Sequence, residues 1–241
     1  MADIRGWFNF REVYEWVVNH FCDLQRSTIN GDGDTSVCVA PVFVEIGVWK
    51  GASIIHLCRQ LLECYGSNFE LFAVDNFSMQ SVGPLDGGDE YNLQLQELRS
   101  SNMTLLDLFV GNVKDFELED FIQIMHMDSV FSASAIKSAD FVFIDGDHSF
   151  EGVTRDIKAW RGRTGILAGH DAYQDGVRDA LVASFGEKGY FASVGSGGCW
   201  TTHPLLGEYI VGLSAGTESE KDTVRKENSN AKVSRQLQEA T

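Results

Sequence analysis

The chain is short of several features that would narrow its class at once. Its five cysteines, Cys22, Cys38, Cys58, Cys64 and Cys199, form no C-x-x-C pair. An odd number at irregular spacing argues against a disulfide framework or a zinc site, so reduced, buried thiols in a cytoplasmic protein are expected. No apolar run approaches the roughly 20 residues that a membrane-spanning helix needs. Met1–Phe10 lacks the basic start and apolar centre of a secretory signal. Basic residues are scarce, 19 against 35 acidic, for a net charge of −16. That balance speaks against a nucleic-acid partner, which needs a basic footprint.

What is present is a regular alternation. Residues 8–21 place Phe10, Val13, Tyr14, Val17 and Phe21 on one helical face, the mark of a covering helix. "STINGDGDTS" follows as a turn-rich loop. Strand candidates lie at 41–47, 70–75, 121–127, 140–145 and 165–169. Helix candidates lie at 51–65, about 90–109, about 130–137, 150–160 and 174–186. Short, nearly continuous apolar strands separated by helices predict a parallel sheet covered on both faces. "YFASVGSGGCWTTHP" adds two short β-like runs around Gly195–Gly198, a hairpin that ends the sheet with an antiparallel strand. The expected organisation is an α/β domain over 1–213. Residues 214–241, with five acidic and five basic residues and no aromatics, form a polar tail expected to be disordered. Homo-oligomerisation is left open.

In an open α/β sheet, ligands sit outside the carboxyl ends of the strands, at the switch in strand order. The first strand ends in Glu45-Ile46-Gly47-Val48-Trp49-Lys50-Gly51-Ala52-Ser53. Gly47 allows a tight turn and Gly51 a close backbone approach. A plain strand–turn–helix joint can use the same two glycines. The dinucleotide pattern G-x-G-x-x-G is absent, because Trp49 stands at its second glycine; a nicotinamide dehydrogenase is the least favoured enzyme class. The second strand ends in Asp75, where an acid accepts hydrogen bonds from ribose hydroxyls; Asn76 can share that role, or the pair can cap a loop. Asp128 and Ser129 end the third strand, either beside an adenine edge or as a helix N-cap.

The stretch "DFVFIDGDHSFEGVTRDIKAW", residues 140–160, runs an apolar strand into Asp145, Asp147 and His148. His170 and Asp171 end the fifth strand. Neighbouring parallel strands lie about 4.8 Å apart, so the two loops can converge. On 150–160, Val153, Ile157 and Trp160 form a core stripe, and Arg155, Asp156 and Lys158 are expected to face solvent. Asp147 or Ser149 can cap that helix, with Glu151 in its first turn. His56, His126 and His203 read as structural or surface residues.

These motifs together resemble the class I S-adenosylmethionine-dependent methyltransferases, and within them methyltransferase family 24, a small-molecule group. The resemblance rests on "FVEIGVWKGASI", "FAVDNF", "HMDS", "FVFIDGDHSFEGVTRDIKAW" and "GILAGHDAY", in that order, and covers about residues 6–204. It implies a Rossmann-like, doubly wound, mostly parallel seven-stranded sheet with an antiparallel hairpin strand. It places the methionine part of S-adenosylmethionine near Glu45, Gly47, Trp49, Gly51 and Ser53. The ribose then falls on Asp75 and Asn76, the adenine near Asp128 and Ser129, with Asp145 beside the cofactor. Hydroxyl methylation of a small-molecule acceptor is the implied reaction. His148, with an unperturbed pKa of about 6.5, suits the general base, supported by Asp145. Mg²⁺ or another divalent cation on Asp145 and Asp171, with Asp147 or His170 as a further ligand, would lower the acceptor's pKa; His170 stands where relatives often carry an acid. Two other readings use the same residues: a two-His-one-carboxylate iron oxygenase, and a non-catalytic cofactor-binding module. Residues 78–92 read as a substrate lid.

Overall fold

The computed structural model describes residues 8–32, 39–78, 96, 98–100, 102–193 and 198–213. In chain order the elements are α1 (Arg11–Asp32), β1 (Val42–Ile46), α2 (Ala52–Tyr65), β2 (Glu70–Asp75) and α3 (Leu105–Asp115). Then come β3 (Ile122–His126), α4 (Ser129–Ala135), β4 (Ala139–Ile144), α5 (Phe150–Trp160) and β5 (Thr164–Gly169). The last are α6 (Asp175–Phe185), β6 (Phe191–Ala192), β7 (Trp200–Thr201) and a helix over 204–213. The seven strands lie in the order β3-β2-β1-β4-β5-β7-β6. β1 to β5 are parallel, and β7 runs antiparallel to both β5 and β6.

The strands are apolar on both sides because both faces are covered. Phe141 and Phe143 of β4 point into the layer formed by α1, α2 and α3, with Phe10, Tyr14, Leu57 and Phe109. Val142 and Ile144 point the other way, onto Val153, Ile157 and Trp160 of α5 and Val177 and Leu181 of α6. The stripe expected on 150–160 is therefore the inner face of α5. Asp156 departs from expectation: it is buried rather than solvent-facing. It sits on that inner face because the Ser129 hydroxyl donates to it from α4, which supplies the partner a buried carboxylate requires.

Three other local expectations change. α1 runs on to Asp32, through residues read as a turn. The helix expected over about 90–109 is broken. Asn102 adopts φ 54°, and Thr104 and Asp107 form a reciprocal capping box that starts α3. Cys22 and Cys64 are joined as a disulfide between α1 and α2, against the expectation of five thiols, while Cys58 and Cys199 are buried outside any disulfide. Forty-two residues separate the pair, so only the helix packing brings them together. The hairpin turn, most of the expected lid and the polar tail lie outside the described residues. No described helix is long and apolar enough to cross a membrane.

At the end of β5 the sheet leaves no room for a side chain. A Cβ on Gly169 would stand 2.5 Å from the Ile144 carbonyl oxygen and 2.6 Å from the Trp200 indole. Gly169→Ala should therefore destabilise by about 1–3 kcal/mol. The urea midpoint should fall at an unchanged m-value; an unmoved midpoint would show that β7 is not packed there.

Candidate functional site

The residues singled out from the sequence gather at the carboxyl ends of β1, β2, β4 and β5. Gly47 leaves β1 at φ 84°. A Cβ there would lie 2.2 Å from the Asp145 carbonyl oxygen, so the turn after β1 presses against the turn after β4. Gly51, at φ 93°, packs on the Phe109 ring, where a Cβ would come within 3.0 Å. Asp75, at the tip of β2, holds the same loop. Its carboxylate accepts from the backbone amides of Val48 at 3.0 Å, Trp49 at 3.3 Å and Phe77 at 2.7 Å. Asn112 of α3 donates to the Lys50 carbonyl at 2.8 Å. The loop 47–51 is thus tied to three neighbouring elements.

Glu45 lies beneath this loop, fully buried. One oxygen accepts from the Ser53 hydroxyl. The other, Oε2, has no hydrogen-bond partner. Burial pushes the Glu45 pKa up to about 8, against the lowering effect of Ser53 and Tyr14. The Tyr14 hydroxyl faces the carboxyl closely enough to influence it, yet is not aligned as a hydrogen bond.

Asp128 adopts the capping geometry that was the alternative to an adenine contact, and Ser129 is the first residue of α4. Asp128 is the N-cap of α4, accepting from Val130 N at 2.9 Å, and pairs with Arg155 at 3.1 Å. Asn76 is exposed; its side chain accepts from Ser78 N at 2.8 Å. Its carbonyl meets His126 Nε2 at 3.0 Å. Ser149 caps α5, while Asp147 accepts from Ser149 N at 2.9 Å and shapes the turn.

The second half of the site is a cluster of two carboxylates and two imidazoles. His148 Nε2 lies 3.2 Å from Asp171 Oδ2 and 3.5 Å from Asp145 Oδ1. These are close contacts without good hydrogen-bond alignment. His170 Nδ1 lies 3.3 Å from Asp171 Oδ2 and 3.4 Å from Asp145 Oδ1, and its Nε2 bonds Asn9 Oδ1 at 3.0 Å. The Phe10 ring stands 4.9 Å from His170. Burial disfavours a charge on His170, but Asp145 and Asp171 outweigh it and raise its pKa to about 10. Asp171 is affected the other way. Burial would raise it, and His170 and His148 bring it down to about 2. For His148, burial again opposes the charge and the two acids overcome it, leaving the pKa above the ordinary value. Cys199 faces the same acids and is held as a thiol by burial and their charge.

Asp145, His148 and Asp171 offer ligand atoms that all lie within 4.8 Å of one another. Two carboxylates and an imidazole suit a hard divalent cation. His170 stands outside that trio as a neighbour of the same two acids, which favour its charge. The sequence reading missed Asn9, Tyr14 and Gln174. Only Gln174, at the N-cap of α6, sits in a recognisable motif position. An open cleft at the other end of the sheet, lined by Phe21, Val39, Pro41, Tyr65 and Asp140, contains none of these residues.

Comparison with known proteins gives the family and the fold. A family model described as a methyltransferase domain matches residues 44–172. Among solved structures, the O-methyltransferase NovP is similar at 17% identity and a TM-score of 0.54, over 79% of this chain and 78% of that one. CalS11, a TDP-rhamnose 3'-O-methyltransferase of calicheamicin biosynthesis, is similar at 14% identity and a TM-score of 0.48, over 78% and 76%. At these identities the likeness is one of fold. No curated protein sequence is detectably similar.

The cluster makes stability depend on pH with a definite sign. The His170 pKa is raised to about 10, above its unfolded value of about 6.5. Its contribution is therefore complete below about 6.5 and lost as pH rises through about 10. His170→Gln should lower unfolding free energy at pH 6 and lose less than the parent between pH 7 and 10 in urea titrations. An equal loss in both proteins would mean that His170 is not paired with the acids.

Proposed function

Because the chain belongs to the methyltransferase-domain family, and so is an S-adenosylmethionine-dependent methyltransferase, we propose that it methylates a hydroxyl of a small-molecule acceptor, with His148 as the general base. One observation carries this reading: His148 stands between Asp145 and Asp171 at the strand ends, one turn away from the Gly47 loop. S-adenosylmethionine supplies a methyl on a sulfonium that an oxygen can attack, the C–S electron pair leaving with sulfur. An alcohol or phenol must give up its proton as it attacks, and a positioned imidazole suits that task. The carboxylates steady the imidazolium that forms, as in other Asp–His pairs.

The cofactor fits the residues on the other side of Gly47. The buried, unpartnered Oε2 of Glu45 offers an acceptor for the cofactor's cationic methionine end, and the loop Gly47–Ser53, with Trp49 and Gly51, bounds that end. A carboxylate has about four acceptor positions, and Asp75 uses three on the loop amides. It can take up a ribose hydroxyl beside them, with Asn76 at the rim. Asp128 and Ser129 would border the adenine while keeping the Asp128 cap and the Ser129–Asp156 bond. A small acceptor rather than a nucleic acid agrees with the charge of −16.

A metal-assisted version is favoured by the spacing of Asp145, His148 and Asp171. Mg²⁺ held there would acidify and orient the acceptor hydroxyl. In that version Asp145 and Asp171 hold the ion, and His148 is either its third ligand or the base beside it.

Calorimetry should give one bound S-adenosylhomocysteine per chain; absence of any binding would end this reading. Release of S-adenosylhomocysteine, screened over phenolic and sugar hydroxyl acceptors with and without EDTA, separates the metal-free and metal-assisted versions. His148→Gln should cost about 10²–10⁴-fold in turnover with product binding unchanged. Unaltered turnover would remove His148 from the reaction.

A further inference from the structure

Two buried polar atoms from different elements face each other without a hydrogen-bond partner. Tyr14 of α1 is 0% exposed, and its hydroxyl is unpartnered. Glu45 of β1 is also 0% exposed. Its Oε1 accepts from the Ser53 hydroxyl of α2, and its Oε2 has no partner. Neither side chain is loosely placed. The Tyr14 ring meets Phe10 edge-on at 5.3 Å, Phe143 at 5.1 Å and Phe141 at 6.0 Å. Phe143 is the β4 residue in register with Glu45. Residues in register on neighbouring strands point to the same side of a sheet. The ring that packs on Phe143 therefore stands over the same patch of sheet as the carboxyl, and each group shifts the ionisation of the other.

A buried donor or acceptor left unpaired costs its desolvation, and native interiors hold few of them. A phenylalanine in the same aromatic nest would avoid half of that cost. The phenol hydroxyl is explained if its partner forms in another state of the molecule. The groups that bear on the Glu45 carboxyl are Ser53, Tyr14, Asp145 and Asp75, and none of them is a cation. What the carboxyl lacks is thus positive charge. An ammonium group at Oε2 would supply it. That oxygen has two lone pairs, one for an ammonium N–H and one for the Tyr14 O–H.

We propose that Tyr14 is a positioning residue for the amino-acid end of the cofactor: when the ligand's ammonium reaches Glu45 Oε2, the Tyr14 hydroxyl donates to the same oxygen and fixes the carboxylate between Ser53 and the ligand. The inference deepens the reading of Glu45 as the acceptor for the methionine end of S-adenosylmethionine and rests on it. Without ligand, the hydroxyl makes no bond and its loss costs the fold nothing. With ligand, it makes a hydrogen bond to an ionised group, the stronger kind. The helix α1 thereby serves the cofactor half of the site, as Asn9 just before it serves the acid–imidazole cluster.

The test is Tyr14→Phe in the full chain, with two probes followed by calorimetry. One is S-adenosylhomocysteine. The other is methylthioadenosine, which keeps the adenine, ribose and sulfur but lacks the amino-acid end. The variant should bind S-adenosylhomocysteine about threefold to tenfold more weakly than the parent, the factor one hydrogen bond supplies. Methylthioadenosine should bind both proteins alike. The urea midpoint of the ligand-free variant should equal or exceed that of the parent, because an unpaired buried hydroxyl has gone. A merely structural hydroxyl would lower the midpoint or weaken both probes equally, and either result overturns the proposal. So does unchanged affinity for S-adenosylhomocysteine. A parent that binds neither probe would remove the cofactor assignment, and this inference with it; a parent that binds S-adenosylhomocysteine no better than Tyr14→Phe does removes this inference alone.

Discussion

The contact between Gly47 and the backbone of Asp145 governs the whole carboxyl edge of the sheet. β1 sits at the point where the chain order reverses, with β2 on one side and β4 on the other. The turns leaving β1 and β4 must therefore pass each other. They do so with no space for a Cβ between them, and only glycine meets that demand at positive φ. As a result the loop after β1 and the loop after β4 are one packed unit. Asp75 secures it from the β2 side and Asn112 from α3.

A second constraint is electrical. Asp145 and Asp171 converge in a partly dry place, where like charges repel and desolvation is costly. His170 resolves this by supplying positive charge from within the fold, steadied by Asn9 and the Phe10 ring. The segment leading into α1 is thereby a wall of the acid–imidazole cluster as well as part of the cover for the sheet. With the acids partly neutralised, His148 can rest beside them. The division of labour between two imidazoles on the same two carboxylates follows from their surroundings: one is enclosed by α1, the other opens toward solvent.

Most of the fold was legible because its strands are short, apolar and bounded by turn chemistry. Glu45, Gly47, Asp75, Asp145 and Asp171 were legible for a related reason: in a parallel sheet, polar residues at strand ends stand out against the apolar runs before them. Contacts across long separations were not. Asn9 meets His170 across 161 positions, and Cys22 meets Cys64 only because two helices pack. Asp156 falls on a polar position of the α5 pattern and is nevertheless buried, since its partner Ser129 comes from another helix. Thr104 was hidden inside what looked like one continuous helix, because a capping box needs only two residues to break it. Where the sequence offered two roles, as at Asp128 and Ser129, the Asp128 side chain makes the capping bond and the Ser129 hydroxyl turns to Asp156, which leaves an adenine contact as an addition to those roles.

The account stands on a single spatial claim, that the methyl donor lies between the Gly47 loop and His148. A crystal structure of the S-adenosylhomocysteine complex tests it most directly. The account predicts the sulfur facing the Asp145–His148 side, the amino-acid end over Glu45 and the ribose at Asp75. Ligand bound elsewhere, or turned so that its sulfur faces away from His148, would contradict it.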